Sequence, residues 1–154
     1  MVFCRPFVVA AAIACASACG EKTSTPTTPS APAALSLAGT WTGDLVLQAT
    51  STRMTWTLSQ AGTGVTGSVL VGLPNGTVLL NGSLNGTITG STLAYTIAVQ
   101  PGGIPSQPTC TGQLGGTVAA SGGASPTTLS GSYSVTSSTC TTPFSSGSFT
   151  LTKQ

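Results

Sequence analysis

The sequence predicts an all-β domain. It reads as an antiparallel up-and-down meander of about eight strands, closed as a barrel or folded as a two-sheet sandwich, behind a cleaved leader and a disordered linker. Three observations carry this. From Leu35 onward, apolar residues recur at every second position, with Thr or Ser between them. Period two is the mark of a half-buried strand, and β-branched Thr suits the outer pleat. Turn signals fall between these runs at short spacing, which makes sequential strands antiparallel neighbours. No apolar run of helical period follows the leader. Closure removes exposed strand edges, so the barrel is the first expectation and the sandwich its alternative.

Residues 1–18 read as a signal peptide. Arg5 supplies positive charge, Phe7 to Ala14 form a short apolar core, and Ala16-Ser17-Ala18 are the small residues a signal peptidase needs. The apolar run is too short to span a hydrocarbon core of roughly 30 Å, which takes about 20 residues. Small residues leading into Cys19 resemble the lipobox of bacterial lipoproteins. That resemblance implies that Cys19 is lipidated, becomes the mature N terminus and makes the membrane a partner through its lipid. Gly20 follows the cysteine where Asp would favour retention in the inner membrane. By the same resemblance, the expected address is the cell envelope, at the outer membrane. The alternative is ordinary cleavage after Ala18, with Cys19 left as an unpaired thiol. Of the five cysteines, Cys4 and Cys15 leave with the leader, and a lipid on Cys19 leaves Cys110 and Cys140 as one pair.

Residues 19–34 form the linker. Glu21 to Ala34 is rich in Thr, Ser and Pro without apolar periodicity. Its prolines favour extended polyproline II, which at ~3.1 Å per residue reaches roughly 40 Å. The segment is a tether that lifts residues 35–154 off a bilayer. Those residues, about 120 of them, are enough for one core.

The strands follow in order. Trp41, Gly43, Leu45 and Leu47 share one face of the first, and Met54, Trp56 and Leu58 one face of the second. Val65, Gly67, Val69 and Val71 mark the third. Leu84, Gly86 and Ile88 mark the fourth, a long strand over residues 77–89 bent at Asn81-Gly82. Leu93, Tyr95, Ile97 and Val99 form the fifth, and Cys110, Gly112, Leu114 and Val118 the sixth. Leu129, Gly131, Tyr133 and Val135 form the seventh, and Phe149 and Leu151 the eighth. Turns are expected at Gly62-Thr63, Asn75-Gly76, Gly90-Ser91, Pro101-Gly102-Gly103 and Gly122-Gly123. Inward glycines at 43, 67, 86, 112 and 131 recur about once per strand, spacing that lets strands coil at barrel corners. Cys110 and Cys140 lie symmetrically about Ser125, inside the expected turn between the sixth and seventh strands, so a hairpin there sets them opposite one another as a disulfide.

The first strand opens with Gly39-Thr40-Trp41. This Gly-x-Trp resembles the start of lipocalins and avidins, eight-stranded barrels that hold a small ligand and place that Trp across the barrel floor. More broadly, the chain is similar to uncharacterised small Thr/Gly-rich bacterial lipoproteins. The resemblance implies a barrel with an internal pocket.

Composition narrows the function classes. From Leu35 on, the charged side chains are Asp44, Arg53 and Lys153, and the whole chain has no His. A nucleic-acid surface needs clustered Lys and Arg, so that partner is not expected. With one carboxylate and no imidazole, acid/base pairs and Ser/His/Asp triads cannot be assembled, so no enzyme is expected. No cofactor and no metal site are expected either, since two cysteines alone make too few ligands.

Two features carry the binding expectations. Trp41, Met54, Trp56, Tyr95 and Tyr133 project inward beside many glycines, as an apolar pocket for a small apolar ligand or as a packed core. Residues 69–80 (VLVGLPNGTVLL) break the alternation, because Leu70, Leu73, Val78 and Leu79 cannot all face one interior. They are expected to form a contact rim for a ligand, a surface partner or the lipid, or to pack under the segment around Leu35 and Leu37. The main functional expectation is therefore a non-catalytic, membrane-anchored binding barrel. The alternative is a structural or adhesive surface module without a cavity, using the T-x-T rows Thr40/Thr42, Thr55/Thr57 and Thr87/Thr89. The Asn-Gly-Thr/Ser triplets at 75, 81 and 85 match glycosylation sequons and read as turns or bends.

Overall fold

Eight antiparallel strands run in sequence order, and the last returns to the first. They are β1 (Gly39–Leu47), β2 (Thr50–Ala61), β3 (Gly64–Gly72), β4 (Val78–Thr89), β5 (Thr92–Val99), β6 (Gly112–Ser121), β7 (Thr128–Ser138) and β8 (Gly147–Lys153). Each pairs with the next, and β8 pairs with β1 at Thr42↔Thr152 and Trp41↔Lys153, closing a barrel rather than a sandwich. The computed structural model describes residues 34–47, 50–141 and 146–154, with the side chains of 46–47 left aside. The leader, Cys19 and the linker lie outside the described residues.

Alternation translates directly into burial. Trp41 and Leu45, Met54, Trp56 and Leu58, Val65, Val69 and Val71 point inward, while the Thr and Ser between them face out. The same pattern runs through Leu84 and Ile88, Leu93 to Val99, and Leu129 and Tyr133. Two connections are the tight two-residue turns the sequence predicts: Gly62 and Gly90 adopt φ of 60° and 61°, the left-handed region that favours glycine.

Two bulges interrupt the ladder. Val71 pairs with Leu80 and Gly72 with Val78, so Leu79 is an extra residue on β4. Gln113 pairs with Ser137 and Leu114 with Val135, leaving Thr136 extra on β7. A bulge re-aims side chains and tightens strand twist. The first one is the physical reason that alternation fails between residues 69 and 80.

Inward glycines mark where neighbouring strands approach most closely. At Gly43 a Cβ would overlap the Thr150 carbonyl across the β1–β8 seam, and at Gly116 it would overlap the Ser132 carbonyl of β7. The expectation of a tight position at Gly112 is corrected: a Cβ there stands 3.5 Å from the nearest carbonyl, and the close approach lies four residues further along β6, at Gly116.

One barrel end is plugged by the segment before β1. Leu37 is fully buried; its N–H donates to Gln60 Oε1 at 2.6 Å, and Gln60 Nε2 donates to the Leu35 carbonyl at 2.7 Å. Trp41 Nε1 donates to the Leu37 carbonyl at 2.8 Å. Lys153 Nζ sits 5.3 Å from the Trp41 ring centroid, a cation–π contact at this floor. Leu35 and Leu37 therefore pack at the end away from the 73–77 turn, which overturns the expectation that the 69–80 hairpin packs beneath them.

The opposite end carries the longer connections. Residue Ile104 of the β5–β6 connection is buried there, and the Asn81 N–H donates to the Gly103 carbonyl at 2.7 Å. Cys110 and Cys140 form a disulfide with Cα atoms 4.9 Å apart. They extend the β6–β7 hairpin: Thr139 N–H donates to the Thr111 carbonyl at 2.9 Å, and Thr111 N–H to Thr139 Oγ1 at 2.9 Å. The pair is mirrored about the turn as expected, but Cys110 precedes β6 instead of lying on it.

Candidate functional site

The barrel fills in layers from the plugged end upward. Trp41 lies at the floor. Above it, Trp56 of β2 meets Tyr95 of β5 edge-on at 5.0 Å and Phe149 of β8 at 5.1 Å, and Phe149 lies 6.4 Å from Tyr133 of β7. Glycines make room for these rings: Tyr95 stands between Gly86 and Gly116 in register, and Tyr133 between Gly116 and Gly147.

Above the aromatic layer, at the end with the longer connections, lies an apolar cavity of about 50 Å³. Met54, Leu45, Leu79 and Leu80 line it with Tyr95 and Tyr133. Val69 and Val71 of β3, Ile97 of β5 and Leu114 of β6 complete the wall. Of the five expected pocket residues, the structure brings Met54, Tyr95 and Tyr133 to the cavity. Trp41 and Trp56 are fully buried in the layers beneath it and do not line it.

The tyrosine hydroxyls are not free handles for a ligand. Tyr95 Oη donates to the Ser132 carbonyl at 2.9 Å, passing Gly116. Burial, and secondarily the neighbouring Tyr133, raise the Tyr95 pKa above the usual phenol value. A phenol held neutral in the fold stabilises it fully below the unfolded pKa of about 10, and that contribution is lost as pH rises through the window above it. Stability in urea is accordingly expected to be flat through neutral pH and to fall above about pH 10, less steeply in Tyr95→Phe. An equally steep fall in Tyr95→Phe would assign the effect elsewhere.

The lining therefore offers methyls, methylenes, a thioether and ring carbon. It can hold an apolar group by dispersion and by exclusion from water. At roughly 24 cal/mol per Å³ of unfilled core, a space of about 50 Å³ costs the fold ~1 kcal/mol, which an occupant would regain.

The four expected rim residues separate. Leu70 points outward from β3 and is 40% exposed, the single exposed large apolar side chain among the described residues. With Leu73 it borders an outer groove of about 340 Å³ beside Asp44 and Arg53, which oppose one another across β1 and β2. Val78 is half-buried, and Leu79 turns into the cavity. The T-x-T rows also separate. Thr40 and Thr42 pair with Thr57 and Thr55, but Thr87 and Thr89 pair with Ala94 and Thr92 across β4 and β5, elsewhere on the curved wall. Asn75 makes a turn, its Oδ1 accepting from Thr77 N–H at 3.0 Å, whereas Asn81 and Asn85 lie exposed along β4.

Sequence reasoning placed Phe149 on a strand without a site role, and it missed Leu79 as a cavity residue. It also missed Lys153 as the cation over Trp41. The doubled glycine Gly115-Gly116 beside a strand bearing Tyr133 was the available signal for the ring layer. No family model, no curated protein and no solved structure matches this chain.

Proposed function

We propose that the chain is a membrane-anchored envelope lipoprotein whose barrel holds a small apolar molecule, without catalysing a reaction on it. The observation that carries this reading is the cavity beside Met54 and Leu79: its lining is apolar throughout, and it lies at the end opposite the Leu37 plug. The anchor rests on the sequence: small residues ahead of Cys19, the Thr/Ser/Pro tether, and the even Cys110–Cys140 pair left once Cys19 carries lipid. The module without a cavity has less support, because two of its Thr rows adjoin and the third lies elsewhere on a closed wall.

Cell fractionation tests the anchor. The parent chain is expected in the membrane fraction and Cys19→Ser in the soluble fraction; Cys19→Ser that stays with the membrane contradicts it. Native mass spectrometry tests the cavity. A one-to-one mass excess, lost when the cavity is filled by Leu80→Trp, is expected after incubation with a short alkyl alcohol. A bare polypeptide mass at every alcohol concentration contradicts ligand binding.

A further inference from the structure

Leu79 and Leu80 are adjacent in sequence, yet both line the cavity. A regular strand cannot do this, because successive side chains point to opposite faces. The bulge makes it possible: Val71 pairs with Leu80 and Gly72 with Val78, so Leu79 has no partner on β3. A bulge disrupts the ladder locally, and such irregularities typically re-aim a side chain. Leu79 is also half-exposed while Leu80 is buried, so Leu79 stands at the lip and Leu80 in the wall.

Volume and lining define what passes that lip. The cavity measures about 50 Å³, against roughly 150 Å³ for an apolar cavity that accepts benzene. A ring does not fit, and the slim end of a linear chain does. Among the described residues the lining is apolar, with the Tyr95 hydroxyl already bonded to the Ser132 carbonyl, and burying an unpaired hydroxyl or amide is costly, so any polar group of the occupant stays outside. Resting on the ligand-binding reading above, we infer that Leu79 is the specificity-determining residue of this cavity. It restricts entry to the methyl end of an unbranched alkyl chain and excludes cyclic and branched apolar molecules. The bulge at Leu79 is the device that puts this gate into the wall of an otherwise regular barrel.

The contact is small, so affinity for a minimal probe is weak. A few buried carbons place it near the millimolar range. The test follows the methyl resonance of Met54 in the full chain carrying Cys19→Ser, so that no acyl group of its own competes. The probes are n-hexanol and cyclohexanol, matched in carbon count and headgroup. With Leu79 present, n-hexanol is expected to shift the Met54 methyl saturably and cyclohexanol not to. In Leu79→Ala, cyclohexanol affinity is expected to rise at least about tenfold, the scale on which pockets discriminate small apolar differences. Leu79→Met, which keeps the bulk, is expected to preserve the preference for n-hexanol. Cyclohexanol binding as tightly as n-hexanol when Leu79 is present, or a preference unchanged in Leu79→Ala, overturns the role of Leu79 and leaves ligand binding standing. Failure of both probes to move Met54 in every variant overturns ligand binding itself.

Discussion

Gly116→Ala is expected to destabilise the barrel by ~3 kcal/mol or more, at the upper end of what overpacking costs. The added Cβ would overlap the Ser132 carbonyl of β7 and come within 3.2 Å of Tyr95 Oη. A side chain could rotate away from such a contact, but a carbonyl fixed in a ladder cannot. Gly116 pairs with Tyr133 on one side and Tyr95 on the other, so a displaced β6 also loosens the ring layer under the cavity. Gly112→Ala is the internal control. It lies on the same strand with 3.5 Å to the nearest carbonyl, and it is expected to change stability by less than about 1 kcal/mol. Urea unfolding of the two variants measures the difference. Equal effects would mean that β6 does not coil against β7 at residue 116.

Replacing Cys110 and Cys140 together by Ala is expected to cost ~3.5 kcal/mol. The disulfide closes 30 residues of chain, and a loop of that size loses roughly this much denatured-state entropy in the chain-entropy model. For a domain of this size the loss lowers Tm by about 10–15 °C. The Thr111–Thr139 hydrogen bonds hold the same hairpin end and remain in the double variant, so the native hairpin keeps its register there. Calorimetry of the double variant tests this. A drop of less than about 1 kcal/mol would show that the extended β6–β7 ladder alone holds that end of the barrel.

Most of the fold is legible because period-two alternation is a local property. Each strand from Trp41 to Leu151 declares its inward face in sequence, and Gly62-Thr63 and Gly90-Ser91 declare their turns. Closure is not local. The same alternation suits a sandwich, and the pairing of β1 with β8, with Thr42 opposite Thr152 at 110 residues' separation, settles it. Two of the three glycines of β6 make the same point. Gly112 and Gly116 both take inward positions, but which one meets a neighbouring carbonyl depends on where β7 crosses, which is set by the bulge at Thr136.

The site was legible in part for the same reason. Met54, Tyr95 and Tyr133 are inward by parity, and parity is enough to place them near a shared interior. Height along the barrel axis is not encoded in parity. Trp41 and Trp56 share the inward face and pair with one another, yet they sit nearer the plugged end than Leu45 and Met54, which line the cavity. Leu79 breaks parity, so sequence could register the irregularity between residues 69 and 80 but not which side chain turned inward. The register with β3 decides that.

The central claim is a dry apolar space at the barrel end that carries the longer connections, and xenon uptake tests it most directly, since xenon occupies empty apolar cavities and reports no polar site. In a crystal of the domain-bearing chain under xenon pressure, a single internal site is expected between Met54, Leu79 and Tyr133. An interior free of xenon, with the Leu79 side chain or ordered water filling that space, would contradict the account.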